Sequence, residues 1–167
     1  MADFEIAFKK TLHFEGVYSN HRLDRGGKTK YGITEKVARH CQYVGKMKEL
    51  PLQVAKNIYE TEYWDKLSLD IFPQDIADEL FDTAVNCGIR IAGKFLQKSI
   101  NILCNTKLKV DGIIGTNTIR YIINNRANIN EKQLLKCLNG FQFMRYINII
   151  KFRTSQKIFF KGWLKRV

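Results

Sequence analysis

Within residues 14–34, FEGVYSNHRLDRGGKTKYGIT, the span from Gly16 to Ile33 breaks the mostly helical pattern of this 167-residue chain. Gly16, Gly26, Gly27 and Gly32 punctuate it, small polar residues fill it, and the DRGG turn signal divides two short β-compatible segments. Its centre, GGKT at 26–29, has the look of a phosphate-cradling loop, and the motif fails on inspection. The pattern G-x-x-x-x-G-K-[ST] needs a first glycine at position 22, which is Arg22. The preceding YSNHRLD is no buried strand, and the following YGIT starts no helix before Thr34. No acid at the end of an apolar strand is available to hold magnesium. A nucleotide site is excluded, and the stretch reads as a small β-hairpin.

Around it the periodicity is mostly helical. Phe4, Ala7, Phe8 and Leu12 share one face, with Asp3 as N-cap and Gly16 just past the end. A second helix is expected from Thr34, with Val37, Ala38, Cys41 and Val44 as its stripe and Gly45 as its stop. Pro51 suits the first position of a third helix reaching Trp64. Pro73 opens a fourth, which carries Ile76, Ala77, Leu80, Phe81, Ala84 and Val85 and ends before Gly88. A fifth is expected from Arg90 to Cys104. After the turn-like LKVDGIIGTNT, Thr116 and Asn130 are the expected caps of a short and a long helix. The fold class is therefore mainly α, with one hairpin after the first helix. A soft boundary near Gly88 divides 1–88 from 89–167, and the two parts are expected to pack as one compact unit.

Bulk properties narrow the function classes. Hydrophobic residues make up 45% and charged residues 26% of the chain, ordinary values for a globular protein, and no apolar run approaches a bilayer span. The net charge of +12 favours polyanions: nucleic acid, an anionic membrane face or an acidic wall polymer. The basic residues are scattered, so a nucleic-acid arm is not expected. Cys41, Cys87, Cys104 and Cys137 form no C-x-x-C pair, and His13, His21 and His40 have no zinc spacing. No metal, cofactor or disulfide framework is expected, and the chain reads as a monomer. MADFEIAFKKTLHFEG has no basic start, apolar core or small-residue cleavage site, so no secretory signal is expected.

The hairpin's ends carry the chemistry. Glu15 falls in the last turn of the first helix, where the negative end of the helix dipole disfavours ionisation. Partial burial against Phe14 or Tyr18 pushes the same way, toward a protonated acid at neutral pH. Asp24 lies nine residues on, at the hairpin tip, and Thr29 follows it by five on the returning strand. A proton donor, a second carboxylate and a hydroxyl able to hold water form an inverting-type glycosidase arrangement, in which the carboxyl groups stand about 6.5–9.5 Å apart. Each residue also has a plain reading: a solvated helix-end glutamate, a turn-forming aspartate and a strand threonine.

EGVYSNHRLDRGGKTKYGIT resembles the signature of the glycoside hydrolase family 108 lysozymes, phage endolysins and bacterial N-acetylmuramidases. YETEYWDKL at 59–67, ELFDTAVNCG at 79–88, VDGIIGTNTI at 110–119 and FFKGWLKRV at 159–167 resemble later family segments, the last two within its C-terminal peptidoglycan-binding portion. Val17 replaces the family's second glycine after the acid, and its proline before the aspartate is absent. The resemblance implies a lysozyme-like helical domain that cleaves the β-1,4 bond between N-acetylmuramic acid and N-acetylglucosamine, with Glu15 as the catalytic acid. Asp24 and Thr29 are its expected helpers. Tyr18, Tyr31, Tyr63, Trp64 and Asn86 are the expected substrate contacts, although Tyr63 and Trp64 suit a helix core equally and Asn86 can cap its own helix. The expected partner is peptidoglycan, with further electrostatic contact to anionic membrane or wall polymers. A protein made in the cytoplasm would reach that wall as a phage or prophage product through a membrane lesion, or by non-standard export. A non-catalytic wall-binding or secretion-assisting protein and a lytic transglycosylase are the alternatives.

Overall fold

The computed structural model describes residues 1–14, 18–19 and 27–167. Helix α1 (Phe4–Phe14) begins where the Asp3 carboxylate accepts the Glu5 amide at 2.7 Å, and it buries Phe4, Ala7 and Phe8. Among the described residues three two-residue strands follow: β1 (Tyr18–Ser19), β2 (Thr29–Lys30) and β3 (Ile33–Thr34). They pair antiparallel in the order β1-β2-β3, with Tyr18 opposite Lys30 and Lys30 opposite Ile33. The expected hairpin is thus one half of a three-stranded meander.

Its second turn is Tyr31-Gly32, and both residues have positive φ (51° and 77°). A two-residue hairpin of the primed kind demands this, because its twist matches that of the flanking strands. Thr34 then caps α2 (Glu35–His40), its hydroxyl accepting from the Val37 amide at 3.3 Å. Cys41 and Val44 fall beyond the end of α2, so this helix is shorter than its apolar stripe suggests.

The third helix is segmented: α3 (Leu52–Tyr59), a π-helical turn at Glu60–Trp64, and α4 (Asp65–Leu67). Its first residue is Leu52 rather than Pro51, because ψ of 145° makes the proline an extended cap. Pro73 plays the same part for α5 (Gln74–Cys87), which ends at Gly88. Helix α6 (Ile89–Cys104) starts one residue earlier than expected, and α7 (Thr116–Asn124) is preceded by Gly115, so Thr116 is inside it. The long α8 (Glu131–Phe152) is capped by Asn130, whose side chain accepts from the Gln133 amide at 3.0 Å. After 3-10 turns at Thr154–Phe159 comes α9 (Phe160–Trp163), and Trp163 stacks on Tyr146 at 5.1 Å. No helix among the described residues is long and apolar enough to cross a membrane.

One apolar core runs from Phe4 to Leu138. Its centre is aromatic: Phe81 of α5 meets Phe4, Tyr59 and Trp64 edge to face at 5.9, 5.7 and 5.8 Å. Helix α5 packs on α1 on one side and on α6 and α8 on the other. Asp111 and Gly112 fasten the loop before α7. Buried Gln97 donates to the Asp111 carboxylate and accepts the Gly112 amide, at 3.0 and 2.8 Å. A Cβ on Gly112 would lie 2.2 Å from the Arg90 carbonyl oxygen at a φ of +78°. Gly112→Ala is therefore expected to cost about 2–4 kcal/mol. Gly140→Ala, in open space within α8, should instead stabilise by about 0.5–1 kcal/mol. Urea denaturation midpoints read both, and equal shifts for the two would contradict the packing described.

Candidate active site

The turn after the first helix is held from behind by α3. Tyr59, 1% exposed, donates its hydroxyl to the Tyr31 carbonyl oxygen at 2.8 Å, which fixes the positive-φ turn against the core. Thr29 is half-buried on β2, and its hydroxyl donates to the Gly27 carbonyl at 3.2 Å. As a hydroxyl that gives its proton to backbone, it keeps lone pairs free to accept. Lys30 reaches across to the Lys48 carbonyl at 2.6 Å, and the Lys48 ammonium lies over the Tyr18 ring at 5.5 Å. Thr29, Tyr18 and Tyr31 are thus brought together on one small sheet. Glu15 and Asp24 lie outside the described residues, as do Gly16, Val17 and Gly26.

The remaining expected contacts divide. Tyr63 lies in the π-helical turn, half-buried, with its ring 5.5 Å from that of Tyr59. Single π turns inside helices recur at functional sites because they re-aim side chains. Trp64, from the same turn, is only 5% exposed and is boxed by Phe4 and Phe81, so it packs as a core side chain. Asn86 is exposed on the last turn of α5, where its amide donates to the Asp82 carbonyl at 2.9 Å.

A second group of polar residues was not singled out from the sequence. Glu79 and Asp82 sit three apart on α5, both within its buried surface. Asp82 accepts from Arg166 at 2.6 Å and from the fully buried Gln142 at 3.1 Å, so α8 and the C-terminal turn converge on it. Burial raises the Asp82 pKa, and the Arg166 guanidinium opposes that shift. Among the described residues no cation pairs with Glu79. Burial, then the neighbouring Asp82 charge, pushes its carboxyl up to about 8, against a hydrogen bond from Thr83. Turned with its nitrogen toward the carboxyl, the Asn139 amide donates to Glu79 at 2.7 and 3.2 Å. The group opens on a cleft of about 280 Å³ lined also by Lys10, Thr11 and Asp78, with Lys10 and Asp78 ion-paired across α1 and α5. The available signal was the i, i+3 carboxylate pair flanking Leu80-Phe81 in a helix whose apolar residues already ring it.

These helices share a direction. Asp3 at the start of α1 bonds Gln74 at the start of α5, and Lys10 pairs with Asp78. The described end of α1 therefore runs toward the Asp82–Asn86 end of α5. A helical body with a small sheet after the first helix is the architecture of a lysozyme-like fold. Residues 8–88 match the family described as Glycosyl hydrolase 108, and residues 91–167 match one described as Predicted Peptidoglycan domain. A solved structure of Brucella abortus SagA is similar, with a TM-score of 0.79 and 27% identity over 98% of this chain and 88% of that one. No curated protein matches the chain. The chain thus carries a glycosyl hydrolase 108 segment followed by a peptidoglycan domain, and the protein is a peptidoglycan hydrolase.

Glu79 makes a pH prediction. Its folded carboxyl keeps a proton to higher pH than the unfolded one, so its contribution is fully present below about pH 4.5. That contribution is lost as pH rises through about 8. Wild-type stability should decline across that window by an amount on the order of a few kcal/mol. Glu79→Gln, which stays neutral, should show a shallower decline. Identical pH slopes in denaturant titrations of the two proteins would contradict the assignment.

Proposed function

We propose that the protein is an N-acetylmuramidase that hydrolyses the β-1,4 bond between N-acetylmuramic acid and N-acetylglucosamine, with Glu15 as general acid. The observation that carries the reading is the glycosyl hydrolase 108 match over residues 8–88, which spans Glu15, Asp24 and Thr29. In the proposed reaction Glu15 gives its proton to the departing glycosidic oxygen as the bond to the muramic C1 breaks. Water adds to C1, and its proton passes to Asp24, with the Thr29 hydroxyl helping to hold that water. The direction of α1 toward the polar end of α5, and the lone pairs left free on Thr29, support this assignment of roles.

Tyr18, Tyr31 and Tyr63 are the proposed sugar-facing aromatics, because each is half-buried and combines an apolar ring with a polar tip. Residues 1–88 carry the chemistry in this reading, and 89–167 hold the wall. The +12 charge suits a polymer whose lactyl groups, stem peptides and attached wall polymers are anionic. Release through a membrane lesion, as for a phage or prophage product, is the proposed route to that wall.

Glu15→Gln should lower the rate of dye release from labelled sacculi by about 10²–10⁴-fold, the usual share of a general acid. Its circular dichroism and urea midpoint should remain those of the wild type. A variant that retains activity within a few-fold would remove Glu15 from the chemistry.

A further inference from the structure

The residues of a groove between α6 and α8 take no part in the proposed chemistry. Phe95 and Lys98 of α6, with Phe141, Met144, Arg145, Asn148, Ile149 and Phe152 of α8 and the following Arg153, line a groove of about 440 Å³. Its floor is aromatic: Phe141 stacks on Phe95 at 5.4 Å with the rings 21° apart. Its rim is cationic, with three basic residues and no acid among the lining side chains. The Lys98 ammonium lies 5.7 Å from the Phe141 ring centre. Among the described residues none of Lys98, Arg145 and Arg153 makes a salt bridge. The Arg145 side chain meets Cys87, but among the described residues its buried Nε has no hydrogen-bond partner, and such a donor calls for an explanation in a folded protein. Met144 and Phe152 are 53% and 78% exposed beside these charges.

We propose that this groove between α6 and α8 is a recognition site for the acidic stem peptides of peptidoglycan. The inference rests on the peptidoglycan-hydrolase reading above. Stem peptides join free carboxylates to small apolar side chains. A guanidinium or ammonium rim around an aromatic floor complements both features. Every lining residue falls within 91–167, the segment that matches the peptidoglycan domain, so the chemistry and the segment agree. A free glycan strand would offer the groove sugar hydroxyls, and Asn148 is the only uncharged polar side chain there to meet them.

The test is co-sedimentation of the full chain with sacculi, intact or stripped of stem peptides by an amidase, for wild type and Lys98→Glu/Arg153→Glu. Both substituted side chains are exposed, so the fold should tolerate the change. Lys132→Glu/Lys136→Glu, on exposed positions at the other end of α8, changes net charge equally and serves as control. Wild type should bind intact sacculi about tenfold more tightly than stripped ones, or roughly 1.4 kcal/mol. The groove variant should lose that preference, and the control should keep it.

Equal loss in control and groove variant would overturn the proposal in favour of bulk charge. Undiminished wild-type binding to stripped sacculi would overturn it too. If phosphatidylglycerol vesicles bind wild type and not the groove variant, while sacculi bind both equally, the groove serves a membrane and the proposal falls. Cleavage of peptide-free glycan strands, measured in parallel, reports on the hydrolase reading independently of all these outcomes.

Discussion

Helix α5 has almost no free face, and the rest of the fold answers to that constraint. Ile76, Ala77, Leu80, Phe81 and Ala84 are buried, and so are Glu79, Asp82 and Thr83. A helix buried all round must find apolar partners for one part of its circumference and hydrogen-bond partners for the other. Phe81 recruits α1 and the α3 segment through edge-on contacts with Phe4, Tyr59 and Trp64. Asp82 recruits α8 through Gln142 and the C-terminus through Arg166. Removing one partner from a buried ion pair leaves a charge that water cannot reach. The last turns of the chain are therefore tied to a helix of the hydrolase segment by more than surface adhesion.

That arrangement carries the candidate site. The aromatic core that fixes Phe81 also fixes Tyr59, and the Tyr59 hydroxyl is what holds the Tyr31-Gly32 turn. Tyr31 occupies a left-handed conformation that costs a non-glycine residue on the order of 1–3 kcal/mol, sustained by its surroundings. The sheet bearing Thr29 is thus positioned by packing two helices away, which suits a site that must keep its geometry while gripping a polymer.

Much of this was legible in the sequence, for reasons that differ by element. Helices with long apolar stripes and side-chain caps, such as α1 after Asp3 and α8 after Asn130, show both signals locally. The sequence marked a turn at DRGG, whereas the turn at Tyr31-Gly32 emerged only with its two positive φ angles. The three-strand pairing was not legible either, because β3 is only Ile33–Thr34 and its partner is chosen by the turn's twist. Pro51 and Pro73 misled by one residue: both lock φ near the helical value, and only ψ, which sequence does not display, decides that they stay outside. Trp64 could be a cleft or a core residue by pattern alone, since a π turn shifts the register on which an α-helical wheel relies. The Glu79–Asp82 group escaped because its meaning comes from Arg166 and Gln142, eighty-four and sixty residues away from Asp82 in the chain.

The proposed reaction is a hydrolytic cut on the reducing side of muramic acid. The most direct measurement is mass spectrometry of the new chain ends released from purified sacculi in ¹⁸O-labelled water. Reducing N-acetylmuramic acid ends that carry the solvent oxygen are the expected result. Reducing N-acetylglucosamine ends would place the cut at the other glycosidic bond, and unlabelled 1,6-anhydro ends would show that water never enters the reaction; either result contradicts the proposed cut.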